Sequence, residues 1–203
     1  MPIIAGRASA AYGAGFGAVT TIPYAGPYGA YDSLGTVSLT ASTASVTFTG
    51  IPDGYKHLQI RGLSRSSRAV TGTNVLIMRF NQDAASATYW STHNMFGNGT
   101  SAYAQSIAAV GANGVWGGNS VTNSSAANLY SSFVTDILDY ANTNKYKTTR
   151  SFQGSSDNGG GNGIMGTVSG IWLSTSAITS VTLIDNTGHD FMQYSSFALY
   201  GVK

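Results

Sequence analysis

Not one of this chain's 203 residues is a glutamate, and Asp, Lys and Arg together make up only 9% of it, against about 25% charged residues in an ordinary soluble domain. Exposed helix faces are built largely from Glu, Lys and other long, straight side chains, which are scarce here. Thr, Val, Ile and Tyr suit strands, while Gly, Asn and Ser suit the turns between them. The chain therefore predicts an all-β fold. A chain of this length buries roughly 70% of its unfolded surface, enough for a core without disulfides. Cysteine is absent, which removes thiol catalysis and Cys-based zinc or iron–sulfur sites. The net charge is +2, without the dense Lys/Arg stripe that a nucleic-acid binder carries. No run of about 18 apolar residues occurs, so no membrane insertion is expected.

The pattern along the chain divides it in two. Residues 1–32 repeat small residues with an aromatic at intervals, and three of the four prolines fall here, at Pro2, Pro23 and Pro27. Gly raises the entropy cost of ordering, and Pro interrupts helix and ladder alike. Such a stretch builds no core alone. It reads either as a flexible tail or as an arm ordered against a partner, and Tyr12, Phe16, Tyr24, Tyr28 and Tyr31 favour the arm, because disordered linkers are poor in aromatics and interfaces are rich in them. Residues 33–203 carry a succession of strand signals. Val46 and Phe48 share one face of the second, Leu58 and Ile60 point inward from the third, and Leu76, Met78 and Phe80 from the fourth. Weaker candidates follow at 87–95 and 102–110, and further strands at 129–140, 145–152, 164–173, 178–184 and 193–202. Many short strands with turn signals between them predict an antiparallel two-sheet β-sandwich, jelly-roll-like, behind an extended N-terminal arm.

One hairpin can be registered from the sequence. A three-residue turn at Asn142–Asn144 sets Tyr140 opposite Tyr146, Asp139 opposite Lys147 and Asp136 opposite Arg150. Two opposite-charge cross-strand pairs are expected there, each worth about 0.2–1 kcal/mol.

Few residues combine into chemistry. His57, His93 and His189 share no metal-ligand spacing, and the loop around His189 reads as an Asx-rich turn. The glycine-rich loop 157–163 supplies one carboxylate, whereas hard cations want several fixed oxygens. There is no nucleophile elbow, no Walker loop and no evident facing carboxylate pair. No catalytic residue, metal or cofactor is expected. Lys56, Arg61, Arg65, Arg68 and Arg79 form the densest positive stretch and read either as solubilising charge or as a contact with an acidic partner or anionic glycan, with Arg61, Arg65 and Arg68 as its candidate contact residues. Trp90 and Trp116 lie in polar, glycine-rich surroundings and read as packing residues or surface contacts, while Trp172 falls in an alternating strand and belongs to the core.

Several segments, namely MPIIAGRASAAYGAGFG, IPDGYKHLQIRGLSRS, LIMRFNQD, DILDYANTNKYKTTRSF and QYSSFALYGVK, together resemble a family of small virion structural proteins of tailed bacteriophages, notably those of marine and cyanobacterial hosts. The resemblance runs over nearly the whole chain and carries no functional residues across. It implies a compact jelly-roll-like body, commonly a homotrimer, displayed on the virion surface. The expectation is then a tail-fibre or receptor-binding appendage anchored by its N-terminal arm, with a capsid decoration protein as the alternative and a free carbohydrate-binding module behind both. The implied partners are further copies of the chain, other tail or capsid proteins, and a host-surface glycan.

Overall fold

The computed structural model describes residues 29–106, 113–156 and 163–203, and only the backbone of 90–92. The described residues are strands and connections, with no α-helix among them and one short 3-10 turn at Ser86–Thr88. The strands are β1 (Tyr31–Ser38), β2 (Ser45–Thr49), β3 (His57–Ser66), β4 (Thr73–Phe80), β5 (Tyr89–Gly97), β6 (Ala102–Ser106), β7 (Val115–Thr122), β8 (Ser131–Leu138), β9 (Lys147–Ser155), β10 (Ile164–Trp172), β11 (Ser180–Asp185) and β12 (Ser196–Val202).

Eight strands pair antiparallel in the order β1-β12-β3-β8-β9-β10-β5-β6. A second antiparallel ladder runs β2-β11-β4-β7. A short parallel contact, Arg65 with Val121 and Ser66 with Thr122, joins β3 to β7 and makes the whole a large mixed sheet. Every strand segment expected from the sequence is present with shifted ends. The first begins at Tyr31, so Tyr31 and Asp32 belong to a strand of the body rather than to the segment before it.

β7 is the strand that the sequence conceals. Its VWGGNSVT resembles a loop, because glycine and asparagine are poor strand formers. Its backbone is approached so closely that a Cβ on Gly117 would meet Met78 Cγ at 2.6 Å, and one on Gly118 would meet Phe133 Cγ at 2.6 Å. Small residues are what let this strand lie across its neighbours.

The core lies where the two ladders share side chains. Leu58 and Ile60 of β3, Leu76, Met78 and Phe80 of β4, Val181 and Leu183 of β11, and Phe197 and Leu199 of β12 are all buried in one cluster. Each strand supplies alternate residues, as a half-buried strand must. Trp172 joins the same cluster as expected, stacked against Tyr89 with ring centroids 6.4 Å apart, and its indole N–H donates to Asp83 Oδ2 at 2.9 Å. At β9 the eight-strand ladder changes character. Lys147, Thr149, Ser151 and Gln153 of β9 point inward and are buried, while Phe152 points outward and is 60% exposed.

Candidate functional site

The side chains that face outward from the eight-strand ladder fall into rows fixed by its register. One row runs Met95, Thr167, Phe152, Val134, Arg61, Ala198. The row on one side runs Gly97, Met165, Gly154, Ser132, Leu63, Ser196. The row on the other side runs His93, Ser169, Arg150, Asp136, Gln59, Tyr200. The first two rows carry exposed Met95, Phe152, Met165, Val134 and Leu63, with one charge, Arg61, among them. Isolated exposed apolar residues are ordinary; several in adjoining rows of one face form a patch.

The third row is a chain of polar contacts. Arg150 Nε donates to Asp136 Oδ2 at 2.9 Å, Gln59 Nε2 donates to Asp136 Oδ1 at 2.8 Å, and Arg61 Nε donates to Gln59 Oε1 at 2.7 Å. The Arg61 guanidinium then lies 5.0 Å from the Tyr31 ring centroid and 4.8 Å from that of Tyr200. The two rings stand edge to face at 88°. Two shallow hollows indent this face. One, of about 460 Å³, is lined by His93, Met95, Ser106, Arg150, Thr167 and Ser169 among others. The other, of about 330 Å³, lies over Arg61, Leu63, Ser132, Val134 and Ala198.

The structure sorts the residues expected from the sequence. Arg61 is exposed and belongs to the outer face. Arg65 does not: it is buried, and its guanidinium donates to the carbonyls of Asn123, Ser125, Ala126 and Leu129 at 2.8–3.1 Å. It shares the strand parity of Arg61 and Leu63, but the 123–129 loop folds over its guanidinium and covers it, so it is no surface contact. Arg68 is half-buried and donates to Asn74 Oδ1 at 3.0 Å; Asn74 in turn donates to Asp185 at 2.6 Å. Trp116 is also half-buried, packed 6.3 Å from Phe96, and serves packing rather than an open surface. Trp90 stands opposite Ile171 in the β5–β10 ladder. Tyr12, Phe16, Tyr24 and Tyr28 lie outside the described residues.

The hairpin register is as read for Asp136 and Arg150, which face each other and form the ion pair. The expected Asp139–Lys147 pair is corrected. The ladder ends at Leu138 opposite Thr148, because Asp139 takes φ 47° and leaves the strand. Its carboxylate meets Lys145 and Lys56 instead, and the hydrogen bond from Lys145 comes first among the causes that hold it below the usual carboxylate range. Tyr140 likewise lies beyond the ladder, buried with its hydroxyl on the Pro52 carbonyl, while Tyr146 is half exposed. Lys147 is fully buried and donates to the carbonyls of Asn142, Lys145 and Thr175 at 2.6, 2.9 and 3.0 Å. Burial, helped by the charge of Lys145, lowers its pKa.

The three histidines stay apart. His57 Nδ1 accepts the Asp139 amide at 2.9 Å, His93 is exposed on the outer face, and His189 Nδ1 sits 2.8 Å from Thr187 Oγ1 beside an Asx turn made by Asp185. Among the described residues no three His, Cys, Asp or Glu side chains gather as a metal would need. The glycine-rich loop at 157–162 lies outside the described residues. Set beside known protein families, curated proteins and solved structures, the chain matches none of them.

Proposed function

We propose that this protein is a non-enzymatic structural component of a tailed-bacteriophage virion, a tail-fibre or receptor-binding appendage held by its N-terminal segment and displayed on the particle surface. The observation that carries this reading is the nested order of strand pairing. β1 pairs with β12, β2 with β11, β3 with β8 and β4 with β7. First with last, second with second-last is the pairing that results when a long antiparallel ribbon rolls into two four-stranded sheets, which is the jelly roll of capsid and lectin domains. On this reading β1-β12-β3-β8 and β2-β11-β4-β7 are the two sheets of the body, and β9-β10-β5-β6 is a wing built from two inserted hairpins that prolongs the first sheet. The resemblance of the N-terminal and strand motifs to phage virion proteins points the same way.

A capsid decoration protein is the second reading, and a separate feature favours it: a broad, sparsely charged sheet face suits lying against a shell. The free carbohydrate-binding module draws less support. Such modules stack sugars on coplanar exposed rings, and Tyr31 and Tyr200 stand at 88° to each other with Arg61 against both. Locating the protein on purified particles by electron microscopy with a labelled antibody tests the proposal. Label at the tail supports the appendage, label over the shell supports decoration, and particles without label refute both. Deleting residues 1–28, which spares all of β1, is expected to abolish incorporation while leaving the strand body folded by circular dichroism.

A further inference from the structure

The outer face of the wing is built opposite to an ordinary sheet surface. Buried Gln153, Thr149 and Asn94 point inward, where Gln153 Oε1 and Nε2, Thr149 Oγ1 and Asn94 Oδ1 have no hydrogen-bond partner among the described residues. Met95, Phe152 and Met165 point outward and are 58%, 60% and 60% exposed. Leaving polar atoms unpaired inside while apolar side chains face water is unfavourable on both sides. A chain that folds alone gains nothing from this arrangement.

The glycines of this face add an independent observation. A Cβ on inward-facing Gly166 would meet Phe96 Cδ1 at 2.1 Å, so the fold itself requires that glycine. A Cβ on outward-facing Gly154 would meet nothing nearer than Ile164 O at 3.8 Å and Met165 Cγ at 4.0 Å, and one on Gly97 only Ser101 O at 3.9 Å. Both lie mid-ladder or at a strand end where glycine weakens a strand, and both flank Met165 in its row. The face thus alternates large knobs with hollows that the folded chain does not use.

We propose that this face is a self-association surface, and that its occupant is the same face of a second copy of the chain, with Phe152 and Met165 of each copy seated over the hollows at Gly97 and Gly154 of the other. The area is sufficient. The six strands that carry the three rows, about 4.8 Å apart, give a width of about 24 Å, and three side-chain rows give a height of about 20 Å. Two such faces of about 500 Å² bury about 1,000 Å² together, the lower bound for a specific interface. The charges permit self-pairing too, since Arg150 and Asp136 neutralise each other within one copy and Arg61 is held by Gln59 and the Tyr31 and Tyr200 rings. Sheets packed face to face interdigitate at about 10 Å separation, which this relief allows.

The inference rests on reading the chain as a building block of an assembly, but its test does not need the particle. Sedimentation and light scattering of the full chain at micromolar concentration are expected to show an oligomer. Phe152→Arg is expected to weaken association by about a hundredfold or more, as loss of a central aromatic anchor does. Gly154→Val fills the hollow in a position with room for it. It is expected to leave the thermal midpoint unchanged or raised, while association falls by about tenfold or more. A monomeric wild-type protein, or an oligomer that survives both substitutions, overturns the proposal. Neither result touches the virion reading, which stands or falls on labelled particles.

Discussion

In β3, at the centre of the nested body, Leu58 and Ile60 face inward and are fully buried, while Arg61 faces out. In β9, within the wing, Lys147, Thr149, Ser151 and Gln153 face inward and Phe152 faces out. The two strands are neighbours but one, separated only by β8. The body uses the alternation of a strand to bury hydrocarbon, and this burial dominates the stability of an ordinary domain. β9 uses the same alternation to hold polar groups against the backbone of β7, as when Ser151 Oγ donates to the Trp116 carbonyl at 3.3 Å. β9 therefore adds little buried hydrocarbon, while Tyr89 and Trp172 of β5 and β10 tie the wing into the common core.

The body should be the more sensitive of the two. Phe80→Ala removes a fully buried ring that packs 5.6 Å from Trp172, and the expected loss is about 4 kcal/mol in chemical denaturation. A loss below about 1 kcal/mol would show that the body is not the stabilising half. Arg65→Met comes next. It strips four carbonyls of their donor, and the expected cost is about 3 kcal/mol, with faster amide exchange across the 123–129 loop.

Acid sharpens the same contrast, because Asp185 belongs to the body. Burial pushes its carboxyl up, but hydrogen bonds from Ser66, Thr187 and Asn74 outweigh that and hold it below the ordinary value. A lowered folded pKa contributes stability that is present above the unfolded value of about 3.9 and is lost as pH falls through the folded one. Denaturation midpoints should therefore drop on acidification below about pH 4. Asp185→Asn should be less stable at neutral pH by about 2 kcal/mol, with a shallower acid slope. Equal slopes for the two proteins would remove Asp185 from the account.

The smallest effect is expected in the wing. Gln153→Leu exchanges two unpaired buried polar atoms for hydrocarbon of similar volume. The expected change is neutral to stabilising, within about 1 kcal/mol. A loss of several kcal/mol would mean that Gln153 is held by partners and that the wing's interior is a satisfied network.

Much of the body was legible in the sequence, and the reason is period two. Val46 with Phe48, Leu58 with Ile60, and Leu76 with Met78 and Phe80 alternate cleanly, and all seven are buried. The Asp136–Arg150 register was legible as well, because a short turn fixes it. The wing strands were legible as strands, but the facing of β9 and the existence of β7 were not. In β9 the alternation is intact but inverted, so composition alone assigns the wrong side to the core. In β7 the glycines that admit Phe133 and Met78 look like a loop when their neighbours are unknown. Arg65 was read as a surface charge and Lys147 as the cross-strand partner of Asp139, because the backbone carbonyls that surround them come from loops distant in sequence or from a turn whose path no pattern reveals.

The pairing of β1 with β12 sets the order in which this chain can mature. Ser33 meets Tyr200, residues at opposite ends of the described chain, and Lys203 donates its amide to the Ala30 carbonyl at 3.2 Å. Contacts so distant along the sequence form slowly, because a long loop must close before they return any energy. During synthesis both flanks that β12 will occupy, on β1 and on β3, stay open until β12 itself has left the ribosome. Losing β12 alone would expose two hydrogen-bonding edges at once, on β1 and on β3, and the chain without it should precipitate rather than persist as a smaller fold.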